Sequence, residues 1–373
     1  MFFEALVLQE CPLNHDTYRK IVSGQNQRPG IGILRALLGA VAWVYGLVMR
    51  GRNLLFAVGI FRSRRAGVPV ISIGNITTGG TGKTPLVIWL CNYLRNKGLH
   101  CSILTRGYKT QPDQITDEPA LLARACLDTD VIVNPNRVAG AQKAVSVYQA
   151  QVLVLDDGFQ HRKLKRDLDI VAVDATCPFG YGHVLPAGLL REPKSGLSRA
   201  DAVIITRFDQ ADAEPMRKLE REIQKIAPHI PIAKAAHKHT GAVTFQNEKL
   251  DLEELRSKKI FAFCGIGNPD AFFRCLQQND LSLEDTQIFN DHHAYTREDM
   301  KQIFERAVSC GAEMILCTQK DWVKTALLSP EEESIVFAYL AMELDFFEGF
   351  DKITLLIDNL FSDQPTQSGT TSE

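Results

Sequence analysis

Between a short apolar run at residues 68–73 and a helical pattern over 83–97 stands Gly79-Gly80-Thr81-Gly82-Lys83-Thr84. Few folds accept a strand that feeds a glycine-rich turn and then a helix opening on Lys-Thr. Such glycines let backbone N–H groups turn toward phosphate oxygens, and the helix N-terminus adds its dipole. The lysine reaches the β- and γ-phosphates, and the Thr84 hydroxyl is placed for Mg²⁺. The strict G-x-x-x-x-G-K-[ST] pattern has glycine where this chain has Thr77, so a plain turn that starts a helix competes. Spacing and context favour a nucleotide-binding loop built from Thr77, Thr78, Gly79, Gly80, Thr81, Gly82, Lys83 and Thr84.

The alternation continues. Strands are predicted at 68–73, 100–105, 152–155, 170–173 and 202–206, with helices at 83–97, 137–149 and 213–226. Strand and helix in turn imply βαβ crossovers and a buried parallel sheet. Residues 231–250 are irregular and polar and read as a linker. A second series follows, with strands at 259–264, 285–289, 313–317 and 335–338 and helices from Pro269 and Thr296. The expected class is α/β: a P-loop NTPase parallel sheet with helices on both faces and a smaller C-terminal α/β domain. Expected boundaries are an N-terminal segment 1–66, a core 67–230, a second domain 231–361 and a disordered tail 362–373.

Composition agrees with this. A chain of 373 residues with 45% hydrophobic and 23% charged residues can bury two cores, which excludes wholesale disorder. Lys+Arg 42 against Asp+Glu 44 leaves a net charge of −2, against a bulk nucleic-acid binder. The nine cysteines include no C-x-x-C pair, which argues against a zinc ribbon or a secreted disulfide framework and for a reducing compartment.

The balanced charge hides an asymmetry. Residues 31–65 hold Arg35, Arg50, Arg52, Arg62, Arg64 and Arg65, no acid, and the most apolar text in the chain. A helix is predicted over 31–50, with Arg35, Gly39, Ala42, Gly46 and Arg50 on one stripe and large apolar side chains elsewhere. A bilayer span needs about 20 apolar residues. Neither run flanking Arg50-Gly51-Arg52 is that long, and no signal-peptide cleavage site is evident. Such a helix is either a core helix or one lying in the headgroup region, where each arginine adds around 1 kcal/mol beside anionic lipid.

Three further strings carry possible chemistry. Val152-Leu153-Val154-Leu155-Asp156-Asp157 is an apolar strand ending in acids, suited to placing Asp156 near Mg²⁺, although Asp also merely ends strands. Asp117-Glu118-Pro119 and Asp291-His292-His293 each offer a general base. Taken alone they are equally an ordinary helix start and surface histidines, and the residues leave that choice open.

Gly74-Asn75-Ile76-Thr77-Thr78-Gly79-Gly80-Thr81-Gly82-Lys83-Thr84-Pro85 resembles the P-loop of the tetraacyldisaccharide 4′-kinases of lipid A biosynthesis, Thr77 included. The same family is resembled by Arg106-Gly107-Tyr108, Asp117-Glu118-Pro119, Asn136-Arg137 and Asp156-Asp157-Gly158-Phe159-Gln160-His161. It is resembled again by Leu185-Pro186-Ala187-Gly188, Leu190-Arg191-Glu192-Pro193, Gly265-Ile266-Gly267-Asn268-Pro269, Asp291-His292 with Tyr295, and Thr318-Gln319-Lys320-Asp321. The likeness spans roughly residues 30–340 in order.

The resemblance implies transfer of the ATP γ-phosphate to the 4′-hydroxyl of an acylated glucosamine disaccharide 1-phosphate. Lys83 and Thr84 would serve phosphates and Mg²⁺, with Asp156 and Glu118 as further metal ligands. Asp117 would be the base, supported by His292, which is preferred over His293 because the family's tyrosine follows three residues on. Tyr108, Arg137, Asp157, Gln160 and His161 would contact substrate or nucleotide. An N-terminal membrane-docking helix would hold a monomer peripherally on the inner leaflet, where its lipid-linked substrate lies. If Asp117 and His292 face each other across a cleft, closure would assemble the base and exclude water. The competing classes are a P-loop GTPase or metallochaperone-like switch, reading a base through residues 318–321 with a protein partner, and a non-catalytic membrane tether.

Overall fold

Apolar segments too short to fold alone are stacked here as parallel strands, each covered by the helix that follows or precedes it. The computed structural model describes residues 15–107 except 26, 27 and 29, and residues 117–362 except 127, 268, 292 and 329–334. Helices α1 (His15–Val22) and α2 (Ile31–Ala57) precede β1 (Val70–Asn75), α3 (Lys83–Asn96), β2 (Cys101–Thr105) and α4 (Asp117–Ala125). Then come β3 (Asp130–Val133), α5 (Arg137–Ser146), β4 (Val152–Asp156), β5 (Leu168–Asp174), β6 (Ala202–Thr206), α6 (Ala213–Ile226) and β7 (Ile232–Thr244). The remainder is β8 (Lys249–Leu250), α7 (Leu252–Arg256), β9 (Lys259–Cys264), α8 (Pro269–Gln278), β10 (Ser282–Ile288), α9 (Arg297–Ser309), β11 (Met314–Cys317), α10 (Gln319–Thr325), β12 (Val336–Glu348) and α11 (Phe350–Ser362).

The chain divides into two compact units, one of residues 1–106, 128–236 and 345–373, the other of 107–127 and 237–344. In the first, the strand order is β6-β5-β1-β4-β2-β3, all parallel, and the start of β7 extends it beside β6. Strands β1, β2, β4, β5 and β6 are buried along their whole length, as a sheet covered on both faces requires. The chain leaves β1 toward β2 but leaves β5 toward β6. That reversal opens a crevice at the carboxyl ends of β1 and β5, where α/β sheets take their ligands. Register sets Ile73 opposite Asp156, so the acid ends its strand level with the run of β1 into the glycine-rich turn.

The second unit orders its strands β10-β9-β11-β12, again parallel. Period-two alternation sorts its core. Phe261 and Phe263 of β9 pack with Met300, Ile303, Trp322 and Phe337, whereas Ile260, Ala262 and Cys264 pack with Phe272, Leu276 and Leu316.

Four expectations need correction. Residues 231–250 are not a linker: β7 runs for 13 residues, burying Ala233 and Ala235 and leaving Lys234 half-buried between them. Small buried alanines beside Lys, His and Thr give little of the Val/Ile signal by which strands are read. Second, the unit boundary falls inside β7, at 236/237, and α11 returns to the first unit rather than closing the second. Third, α2 continues through Arg50-Gly51-Arg52 for 27 residues, about 40 Å at 1.5 Å per residue. By length and composition it could cross a bilayer, unlike either run alone. Fourth, α4 packs against α10, so Asp117 belongs with Asp291 and His293 in one unit, and not on opposite sides of a closing cleft.

Candidate active site

The turn after β1 is shaped before any ligand arrives. Gly79 has φ 106 and Gly82, which caps α3, has φ 76, conformations that a side chain would strain. Asn75 donates through Nδ2 to Thr81 Oγ1 at 2.9 Å, and Thr206 Oγ1 at the end of β6 donates to the Thr81 carbonyl at 3.0 Å. On the other flank, Thr78 N donates to the Leu189 carbonyl at 2.7 Å and Arg191 N to the Ile76 carbonyl at 2.8 Å. Thr77 itself is buried and bridged to Leu190. A threonine suits this position because the strand-like pairing, rather than a free turn, holds the loop's first half. Gly79 and Gly80 remain exposed at its tip.

Lys83 reaches Asp157 at 3.3 Å, and Arg191 Nη1 donates to the same carboxylate at 2.7 Å. Burial alone would raise that carboxyl, but the two cations outweigh it and hold Asp157 well below the usual carboxylate range. Asp157 is therefore an anion that orients the phosphate lysine. The tight turn that carries it presses on β1: a Cβ at Gly158 would stand 2.5 Å from Ser72 Oγ. Asp156, buried at the end of β4, accepts from Thr105 Oγ1 at 3.2 Å.

Gln160 donates through Nε2 to the Asn75 carbonyl at 2.8 Å and to Glu192 Oε1 at 3.0 Å. Glu192 is fully buried. Arg199 grips both its oxygens, at 2.9 and 3.0 Å, and Asn53 of α2 donates to Oε2 at 2.9 Å. Burial pushes the Glu192 carboxyl up, and these donors more than offset it, so it stays ionised. Tyr45 of α2 donates to the Arg191 carbonyl at 2.7 Å. The apolar helix is thus bonded directly to the two residues that steady Asp157 and Gln160. Arg137 is buried and donates to the Asn134 carbonyl at 2.8 Å. Burial pushes the His161 imidazole down to about 4, with Arg137, Arg166, Lys163 and Arg106 adding to the effect, so it is neutral at pH 7.

Lys83, Thr84, Arg137, Asp156, Asp157, Gln160 and His161 all belong to the first unit, and an ion pair joins Lys83 to Asp157. Tyr108 and His292 lie outside the described residues. Asp117 and Glu118 open α4, and their side chains lie outside the described set too. His293 has other work: its Nε2 lies 3.3 Å from Asp299, and its ring stacks on Phe289 at 4.8 Å. Sequence reasoning assigned no role to Arg191, Glu192 or Asn75. The only signal for the first two was their place in the Leu-Arg-Glu-Pro string.

Asp321 is fully buried and accepts from Gly265 N at 3.0 Å, Tyr295 OH at 2.9 Å and Thr318 Oγ1 at 2.6 Å. Its oxygens tie three loops of the second unit together. The donor set Thr84 and Asp156 is hard oxygen, as Mg²⁺ prefers. Among the described residues no group of three His, Cys, Asp or Glu side chains could hold a metal by itself.

The tetraacyldisaccharide-1-P 4′-kinase family model matches residues 34–360. A tetraacyldisaccharide 4′-kinase of Desulfatibacillum aliphaticivorans is 34% identical over 347 residues, covering 86% of this chain and 92% of that protein. One from Chlorobaculum parvum is 37% identical over 341 residues, covering 85% and 92%. Among solved structures, LpxK from Aquifex aeolicus in complex with ATP is 27% identical with a TM-score of 0.70, covering 88% of this chain and 99% of that one.

Proposed function

The chain belongs to the tetraacyldisaccharide 4′-kinase family, and from that premise we propose how its residues divide the reaction. The enzyme is an ATP-dependent kinase of lipid A biosynthesis, acting on the 4′-hydroxyl of a tetraacylated glucosamine disaccharide 1-phosphate. The hydroxyl oxygen bonds to the γ-phosphorus, and the bond from that phosphorus to the β–γ bridging oxygen breaks. ADP leaves with the electron pair, and the hydroxyl proton goes to a base.

Asp117 is that base and His292 supports it. What favours His292 is that its neighbour His293 is taken up by Asp299 and Phe289, while Tyr295 anchors the same loop to Asp321. Lys83, oriented by Asp157, draws the β- and γ-phosphates into the loop 77–84. Thr84, Asp156 and Glu118 would hold Mg²⁺, which neutralises charge on those phosphate oxygens when bound. Arg137, Gln160, His161 and Tyr108 contact the acceptor sugar and its phosphate. The observation that carries this reading is the Lys83–Asp157–Arg191 cluster at the foot of the glycine-rich loop, tied through Glu192 and Tyr45 to α2.

Helix α2 docks the monomer on the cytoplasmic face of the inner membrane. Ile33, Leu37, Trp43, Val44 and Val48 are exposed, whereas Ala42, Gly46 and Met49 form a narrow buried stripe. That stripe, with Tyr45 and Asn53, ties the helix lengthwise to the protein and favours lying in the headgroup region over crossing the bilayer. Asp117→Ala tests the assignment. Turnover should fall by roughly 10² or more with ATP affinity retained, and unchanged turnover would remove Asp117 from the chemistry.

A further inference from the structure

Helix α1 precedes the residues matched by the family model, which begin at 34. It is nonetheless fixed in place. Tyr18 is buried, and its hydroxyl lies 3.0 Å from the Pro186 carbonyl and 3.1 Å from that of Gly188, donating into the loop that flanks the phosphate turn. From the other side, Arg35 Nε of α2 donates to the Ile21 carbonyl at 2.8 Å.

Between these anchors lie Arg19 and Lys20, and Arg19 is the one that reaches the phosphate turn. Its side chain is exposed, and Nη2 stands 3.2 Å from the point where a Cβ on Gly79 would lie. In the phosphate-loop spacing Gly79 belongs to the stretch whose backbone, with the lysine, cradles the β- and γ-phosphates. A guanidinium at that point stands beside the tip of the phosphate turn. Lys83 shares its charge with Asp157, whereas among the described residues no carboxylate pairs with Arg19. Its planar fork suits phosphate oxygens, and a side chain supplied over the loop in this way neutralises charge on the transferring group.

We infer that Arg19 contacts the γ-phosphate of ATP during transfer, with α1 as its arm and Tyr18 as the anchor of that arm. The inference rests on the kinase reading and adds a residue to it. Arg19→Ala, Arg19→Lys, Tyr18→Phe and the Tyr18→Phe/Arg19→Ala pair are made in the full chain; Arg19 is exposed, so its replacement leaves the core intact. Affinities for β,γ-methylene-ATP and for ADP are measured by calorimetry, and turnover is measured on the lipid disaccharide.

Arg19→Ala should weaken the triphosphate analogue roughly tenfold and slow turnover at least as much, with ADP affinity unchanged, and Arg19→Lys should restore part of both. Tyr18→Phe should shift both quantities the same way, and the double variant should be no worse than Arg19→Ala. Wild-type values in Arg19→Ala, equal losses for analogue and ADP, or a change confined to the KM of the lipid would each overturn the assignment. A wild-type chain that transfers no phosphate would overturn the kinase reading, while the two nucleotide affinities would still decide the Arg19 contact.

Discussion

Glu192 is the residue on which most of the site's supports converge, since Arg199, Asn53 and Gln160 all donate to it in a fully buried place. Removing one partner of a buried ion pair leaves the other charge uncompensated, at a cost of about 3–5 kcal/mol. Glu192→Gln should therefore lower the urea midpoint markedly, and a midpoint within error of wild type would show that Arg199 finds another partner. His161 gives a pH signature. Its folded value of about 4 lies below the unfolded value near 6.5, so between those limits the unfolded chain binds a proton that the folded chain does not. Stability should fall as pH drops through that window, and His161→Asn should fall less steeply; parallel unfolding profiles would contradict this. Lys83 and Thr84 were legible because the phosphate loop is contiguous. Arg191 was not, because its partner Asp157 is 34 residues away in another loop and no spacing rule links them.

Elements differed in legibility for physical reasons. Strands β6 and β9 and helix α6 have the expected bounds because Val, Ile and Phe runs, or a clean amphipathic pattern, dominate them. Strand β7 was missed because it buries alanine, and the place of α4 was missed because packing against α10 leaves no trace in its sequence. Helix α2 was shortened because Arg50 and Arg52 look like a boundary, although both sit in a continuous helix. Its basic flank carries a prediction of its own. Charge reversal of Arg62, Arg64 and Arg65, all exposed, forfeits about 1 kcal/mol each near anionic lipid. Vesicle binding should weaken by roughly a hundredfold or more at low salt, with ATP affinity unchanged and neutral vesicles unaffected. Equal binding by the reversed chain would mean that apolar contacts alone hold the helix.

At the scale of the whole molecule, the class of fold followed from strand–helix alternation, while the acceptor followed from a resemblance that the family match bears out. The proposed base opens α4, which packs against α10 in the second unit, and it is proposed to form one functional pair with His292. Asp117→Ala and His292→Ala should then be non-additive, the double variant being little slower than Asp117→Ala; additive losses would separate their roles. On this assignment a triphosphate seated at 77–84 loses its terminal group to a lipid-borne alcohol. That transfer is tested by incubating the full chain with γ-labelled ATP, Mg²⁺ and vesicles carrying the tetraacylated disaccharide 1-phosphate, then locating the label. Label should appear on the 4′-oxygen of the lipid and be lost with Lys83→Ala; label found only as inorganic phosphate, at the same rate with or without the lipid, would overturn the assignment.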